Sequence, residues 1–149
     1  MEKSIISTIC LMLLMFSACK TEPDSSAVKK ELLNIHDKLM LDGEKVVKNR
    51  MALDSLLKSG KIKDAKDSTE LADLITALNK ADENMMDWMH FFKDDFKGKD
   101  EKEALTYYKS EMVKIRGVED NYIKVTRTSD SLLKIYNVRP LQKPERHKH

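Results

Sequence analysis

The stretch Leu71-Ala72-Asp73-Leu74-Ile75-Thr76-Ala77-Leu78-Asn79-Lys80-Ala81-Asp82-Glu83-Asn84-Met85-Met86-Asp87-Trp88-Met89-His90-Phe91-Phe92 decides the fold. Leu71, Leu74, Leu78, Ala81, Met85, Trp88 and Phe92 recur at three- and four-residue steps without a miss, which is the heptad pattern of a helix with one buried stripe. Ile75, Met86, Met89 and Phe96 broaden that stripe. Upstream, Asp67-Ser68-Thr69-Glu70 has the spacing of a reciprocal capping box and predicts a helix start near Asp67. Downstream, Gly98 predicts its end.

The same period appears on both sides. Before this helix, Leu32, Ile35, Leu39, Val46, Leu53 and Leu56 mark a first helix from Asp24 or Ser25 to about Ser59, with Gly60 as its stop and Asp42 and Asn49 as polar interruptions of the seam. After it, Asp100 and Glu103 form a cap pair for a third helix, whose seam is Ala104, Tyr108, Ile115, Val118, Tyr122, Val125, Leu132 and Tyr136. Glu111 and Ser129 are its polar exceptions, and it should stop near Asn137, ahead of Pro140. Gly43 and Gly117 inside these helices predict kinks or close helix approaches, since each costs about 1 kcal/mol relative to Ala. Three helices with one apolar stripe each must shield one another. The expected fold is therefore all-α, an antiparallel three-helix bundle of long helices over residues 25–137.

Composition agrees: charged residues make up 35% and aromatics 6% of the 149 residues, with only four Gly and three Pro, a balance suited to solvated helices. The formal net charge of +2 gives no ground for nucleic-acid binding. Both cysteines, Cys10 and Cys19, precede the predicted bundle, so a folded-domain disulfide or thiol nucleophile is excluded.

The N-terminal residues have a different design. Lys3 precedes an apolar run from Ile5 to Phe16, and Ser17-Ala18 precede Cys19. This is the layout of an export signal, and the run is shorter than the roughly 20 residues of a membrane span. Phe16-Ser17-Ala18-Cys19 resembles the lipobox of bacterial lipoproteins, with Phe in place of the commoner Leu. That resemblance implies that signal peptidase II removes residues 1–18 after the Cys19 thiol has received diacylglycerol. Residues 19–24 would be a short tether, and residues 138–149, including His147 and His149, a disordered polar tail. Lys20 rather than Asp after the cysteine implies, by likeness to Gram-negative lipoproteins, the outer membrane, facing the periplasm or the surface.

Ala81-Asp82-Glu83-Asn84-Met85-Met86-Asp87-Trp88-Met89, with the lipobox, His36-Asp37 and Tyr107-Tyr108, is similar to a group of Bacteroidota lipoproteins, some labelled "viral A-type inclusion protein". The likeness implies a lineage and a helical class but no mechanism.

Two readings compete for the methionines. Thioether and imidazole ligands suit Cu(I), and Met86 with His90, Met85 with Met89, and His36 with Met40 are each four residues apart on a helix face. Metal ligands would then be His36, Met40, Met85, Met86, Met89 and His90. Seam spacing favours the other reading, in which flexible thioethers fill core gaps beside Trp88. The acidic pairs Asp82-Glu83 and Asp94-Asp95 point to different sides of a helix, and no Gly-rich phosphate loop, H-E-x-x-H or G-x-S-x-G motif occurs. The sequence thus predicts a lipid-anchored structural or binding module of the cell envelope and no enzyme. The membrane is reached through the N-terminal lipid, and the expected partner is another envelope protein.

Overall fold

The computed structural model describes residues 23–96 and 100–139. The expected signal, Cys19, most of the tether, Gly98 and the residues from Pro140 onward lie outside them. Within them stand three helices, α1 (Ser25–Lys58), α2 (Ala65–Phe91) and α3 (Glu101–Ile135), every pair in contact. At 1.5 Å per residue they are about 50, 40 and 50 Å long. The expected all-α three-helix bundle is the observed fold.

Each helix starts where an aspartate can take orphan amides. Asp24 accepts the Ala27 N–H and caps α1, and Asp100 accepts the Lys102 N–H at α3. For α2 the sequence pointed one turn too late: the cap is Asp64, whose carboxylate accepts the N–H groups of Lys66 and Asp67. Ala65 and Lys66 are good helix formers, so the helix extends back to the earlier aspartate. Asp67 instead accepts the Tyr136 hydroxyl at 3.0 Å, tying the start of α2 to the end of α3. Asp64→Ala should therefore lose about 1 kcal/mol in urea unfolding, while Asp67→Asn, which keeps an acceptor for Tyr136, should stay within about 0.5 kcal/mol of the parent.

The ends are equally specific. Ser59 caps the C-terminus of α1 and Gly60 follows at φ 68°, a left-handed conformation glycine adopts without a Cβ penalty. At the end of α3, Asn137 takes that role with φ 52°. Its N–H reaches the Lys134 carbonyl, and the Val138 N–H reaches that of Leu133 at 2.8 Å. This is the paired closure of a Schellman motif, and it packs Val138 against the main core. Val138, assigned to the tail by sequence, thus belongs to the capped end of the bundle. The expectation that α2 continues to Gly98 is corrected more strongly: the helix stops at Phe91, and Phe92 is extended. Phe92 and Phe96 fold onto Tyr107 and Tyr108, with ring centroids 4.7 to 6.5 Å apart, and the Lys93 N–H donates to Tyr107 Oη.

Contacts between α1 and α3 keep a rising register, from Ser25 with Glu101 to Lys45 with Asp130, so these two helices run parallel with α2 antiparallel to both. The core is the expected seam, including fully buried Leu32, Leu39, Leu53, Leu71, Leu78 and Ile115. Two positions slip by one residue, because a 3.6-residue turn drifts from a strict heptad. Gly43 rather than Asp42 faces the interior of α1, and Leu133 rather than Leu132 is buried in α3. A Cβ at Gly43 would stand 3.6 Å from Tyr122 Oη, an ordinary contact, while none meets anything within 4 Å at Gly117. Both glycines lie inside unbroken helices.

Polar groups set the α1–α3 register. Asn49, fully buried, donates through Nδ2 to Ser129 Oγ and Asp130 Oδ1, both at 2.8 Å. Arg116 joins Glu31 and Glu119, and Lys38 reaches Glu119 at 2.9 Å. Hydrogen bonds from Lys38 and Arg116 hold the Glu119 carboxyl below its ordinary range. A depressed folded value contributes stability above the unfolded one and loses it as pH falls through the folded one. Glu119→Gln should cost about 1 kcal/mol at pH 7, given the half-exposed cations, and the deficit should fade below the ordinary glutamate value of about 4.3. Urea midpoints of both proteins across pH would show the two curves converging in acid.

Candidate functional site

The Ala81–Phe92 block covers the C-terminal turns of α2 and its cap residue Phe92, and its side chains line grooves on both flanks of the helix. Towards α1, a groove of about 450 Å³ is lined by Met40, Met85, Met86 and Met89, with Gly43 and Tyr122 among its other walls. Heptad position explains Met85, which is 2% exposed and packs in the core. It does not explain Met40 and Met86, which are 50% and 58% exposed. Gly43 faces the Tyr122 ring that α3 sends between the other two helices. Burial, reinforced by the charge and hydrogen bond of Asp82, pushes the Tyr122 hydroxyl up to about 12. It is therefore a neutral hydrogen-bonding group at physiological pH.

Towards α3, a groove of about 480 Å³ is lined by Asn84, Asp87, Trp88, Phe91, Glu111 and Lys114, among others. Glu111, a polar exception in the seam, is 4% exposed and held by Lys114 Nζ at 2.6 Å. That hydrogen bond raises the Lys114 ammonium above its ordinary value. Trp88 stacks on Phe92 at 4.8 Å, and its Nε1 is buried with no acceptor among the described residues. An unsatisfied indole N–H of this kind is a place where a bound water or ligand oxygen gains a full hydrogen bond.

The six candidate metal ligands divide. Met40, Met85, Met86 and Met89 share one groove. His36 on α1 does not line it; its ring stands 5.8 Å from Trp88 and its Nδ1 3.0 Å from Asp37 Oδ1. His90 is exposed, set edge-on to Phe91 at 4.9 Å, and does not line the methionine groove. Among the described residues no three His, Cys, Asp or Glu side chains gather into a metal-binding group, and no helix is long and apolar enough to cross a membrane. No family model, curated protein or solved structure matches this chain. Its functional reading rests on its own residues.

Sequence reasoning found the block but not the groove towards α3. Glu111 and Trp88 were each legible as seam positions. That they meet across one groove follows from the α2–α3 register, which no sequence spacing encodes. An acid in a seam was the one available signal.

Proposed function

We propose that the chain is a lipid-anchored module of the cell envelope, in which diacylglycerol on Cys19 holds a three-helix domain that binds another envelope component and performs no catalysis. The observation that carries this is the lipobox-like Phe16-Ser17-Ala18-Cys19 at the end of an apolar run, only five residues ahead of the Asp24 cap. Support comes from the way the domain begins: Ser25 is buried and donates through its N–H and Oγ to the Glu101 carboxylate, so folded structure starts almost at once after the proposed cleavage site. The grooves beside α2 are the candidate contact sites. The test is mass spectrometry of the full chain expressed in a Gram-negative bacterium. The expected N-terminal peptide lacks residues 1–18 and carries glyceride-linked acyl chains on Cys19; an intact, unacylated N-terminus in the cytosol overturns the reading.

A second reading is favoured by the exposed methionines. Met40 and Met86 have no packing role that requires a thioether, and with Met85 and Met89 they offer four soft ligands to Cu(I) around one groove. Cu(I) titration against a chromophoric chelator tests it, with Met51→Leu, exposed but outside the groove, as control. Binding lost in Met40→Leu and Met86→Leu but kept in Met51→Leu supports the site. Binding no tighter than micromolar removes it.

A further inference from the structure

Glu111 is a buried acid that the packing of the bundle does not require. It occupies the α3 seam between Tyr108 and Ile115, both buried, and is itself 4% exposed. Burying a carboxylate costs free energy, and an apolar residue at this position would extend the core without that cost. Among the described residues its one hydrogen-bond partner is Lys114, whose Nζ holds Oε1 at 2.6 Å and leaves Oε2 without a donor. That lysine stands three residues on in the same helix, so the pair joins no two elements. Unlike Asn49 with Ser129, it sets no register.

What surrounds Glu111 is the groove of about 480 Å³ between α2 and α3, within the size range of small-molecule sites. Trp88 and Phe91 of α2 and Val118 of α3 give it apolar walls. The Phe91 side chain is 71% exposed, so ring surface is left open to a ligand. Asp87 adds a second carboxylate, with no partner among the described residues. Gly117 leaves the rim without a side chain, and a Cβ there would meet nothing within 4 Å. Two carboxylates thus stand against the single ammonium of Lys114, and the lining carries an excess of negative charge.

From this arrangement we infer that the α2–α3 groove binds a small organic cation, an ammonium group carried on an apolar or aromatic body. The ammonium lies between Glu111 and Asp87, and the body lies against Trp88, Phe91 and Val118. A cation beside an aromatic ring is attracted by its quadrupole, and a carboxylate already removed from water holds an ammonium more strongly than one on an open surface. Lys114 neutralises Glu111 while the groove is empty, so no unpaired charge is left buried. Its side chain is 63% exposed on a flexible stem, and it swings to solvent as the ligand enters. The inference rests on the reading of the grooves beside α2 as contact sites and adds the ligand class; it does not require acylation of Cys19.

Trp88 is the only tryptophan of the chain, so its indole N–H gives a single nuclear magnetic resonance cross-peak at the groove wall. The full-length protein, isotopically labelled and purified with its lipid in nonionic detergent, is titrated with phenethylammonium. Ethylammonium supplies the charge without the ring, and phenylacetate supplies the ring with the opposite charge. Phenethylammonium should displace the cross-peak saturably, with a dissociation constant of about 1 mM or tighter, at least about tenfold below that of either comparison compound. Glu111→Gln and Asp87→Asn should each weaken that binding at least about fivefold. Asp87 is exposed, so its variant tests the charge even where Glu111→Gln fails to fold. Lys114→Gln should bind phenethylammonium several-fold more tightly, because the competing ammonium is gone, whereas a site for anions would lose affinity in the same variant. A cross-peak that phenethylammonium leaves in place overturns the inference, as does an equal response to phenylacetate or weaker binding in Lys114→Gln. An equal response to ethylammonium overturns the role of the apolar walls. The N-terminal peptide mass from the same sample reads the anchor separately. An acylated protein that ignores phenethylammonium sinks the ligand class alone, and an unacylated one that binds it sinks the anchor alone.

Discussion

Leu78→Ala should destabilise the domain by about 2–5 kcal/mol, the cost of a large cavity in a packed core. Leu78 has no exposed surface and lies midway along α2, the shortest helix and the one that must cover both partners. Its truncation removes contacts from the place where three apolar stripes meet, and long rigid helices cannot collapse into the gap. For a domain of this size each kcal/mol moves the midpoint by roughly 4 °C, so thermal unfolding should begin about 8–20 °C earlier. Leu78→Met, which keeps the volume, should cost less than about 1.5 kcal/mol. Leu41→Ala, at a site 78% exposed, should stay within about 0.5 kcal/mol of the parent. Calorimetry of the three variants checks the series. A Leu78→Ala protein as stable as the parent would mean that α2 does not pack as described.

The second large effect concerns attachment. Each buried methylene contributes about 0.8 kcal/mol, so the acyl chains of a mature lipoprotein hold a protein in membranes through repeated washing. No described helix can substitute for them by spanning the bilayer. A chain in which residues 1–19 are replaced by an export signal that is cleaved without lipidation should therefore move from the membrane pellet to the soluble fraction, with more than a tenfold fall in pelleted protein. Residue 19 precedes the Asp24 cap, so the thermal midpoint of the released domain should be unchanged. Sedimentation in high salt, read by immunoblot, distinguishes this from loss of a surface charge contact. Full retention of that unlipidated chain in the pellet would place the anchor elsewhere.

Most of the fold is legible in the residue pattern, for identifiable reasons. The α2 seam from Leu71 to Trp88 is uninterrupted, and each of these apolar positions is buried. The α1 start at Asp24 and its end at Gly60 carry cap residues with local mechanisms. Local signals failed where two of them compete or where a distant partner decides. Asp64 and Asp67 can each cap a helix start; Ala65 and Lys66 favour the earlier one, and Asp67 then accepts the Tyr136 hydroxyl from the far end of α3. Lys93-Asp94-Asp95 contains no breaker, yet α2 ends before it because Phe92 and Phe96 gain more against Tyr107 and Tyr108 than another helical turn would give. The methionines were legible as a cluster. Their division into a buried Met85 and exposed Met40 and Met86 needed the register of α1 on α2.

The parallel pairing of α1 with α3 has a kinetic consequence. Their interface is the most extensive of the three, and its polar contacts join residues 76 to 85 positions apart, whereas each hairpin joins helices adjacent in the chain. Closing so long a loop costs entropy before it returns any contact, so hairpin formation should precede it. A chain delivered N-terminus first must then keep the widest face of its leading helix uncovered until the last third arrives. In that interval Asn49 waits without Ser129, and holding proteins have their best opportunity to capture the nascent polypeptide.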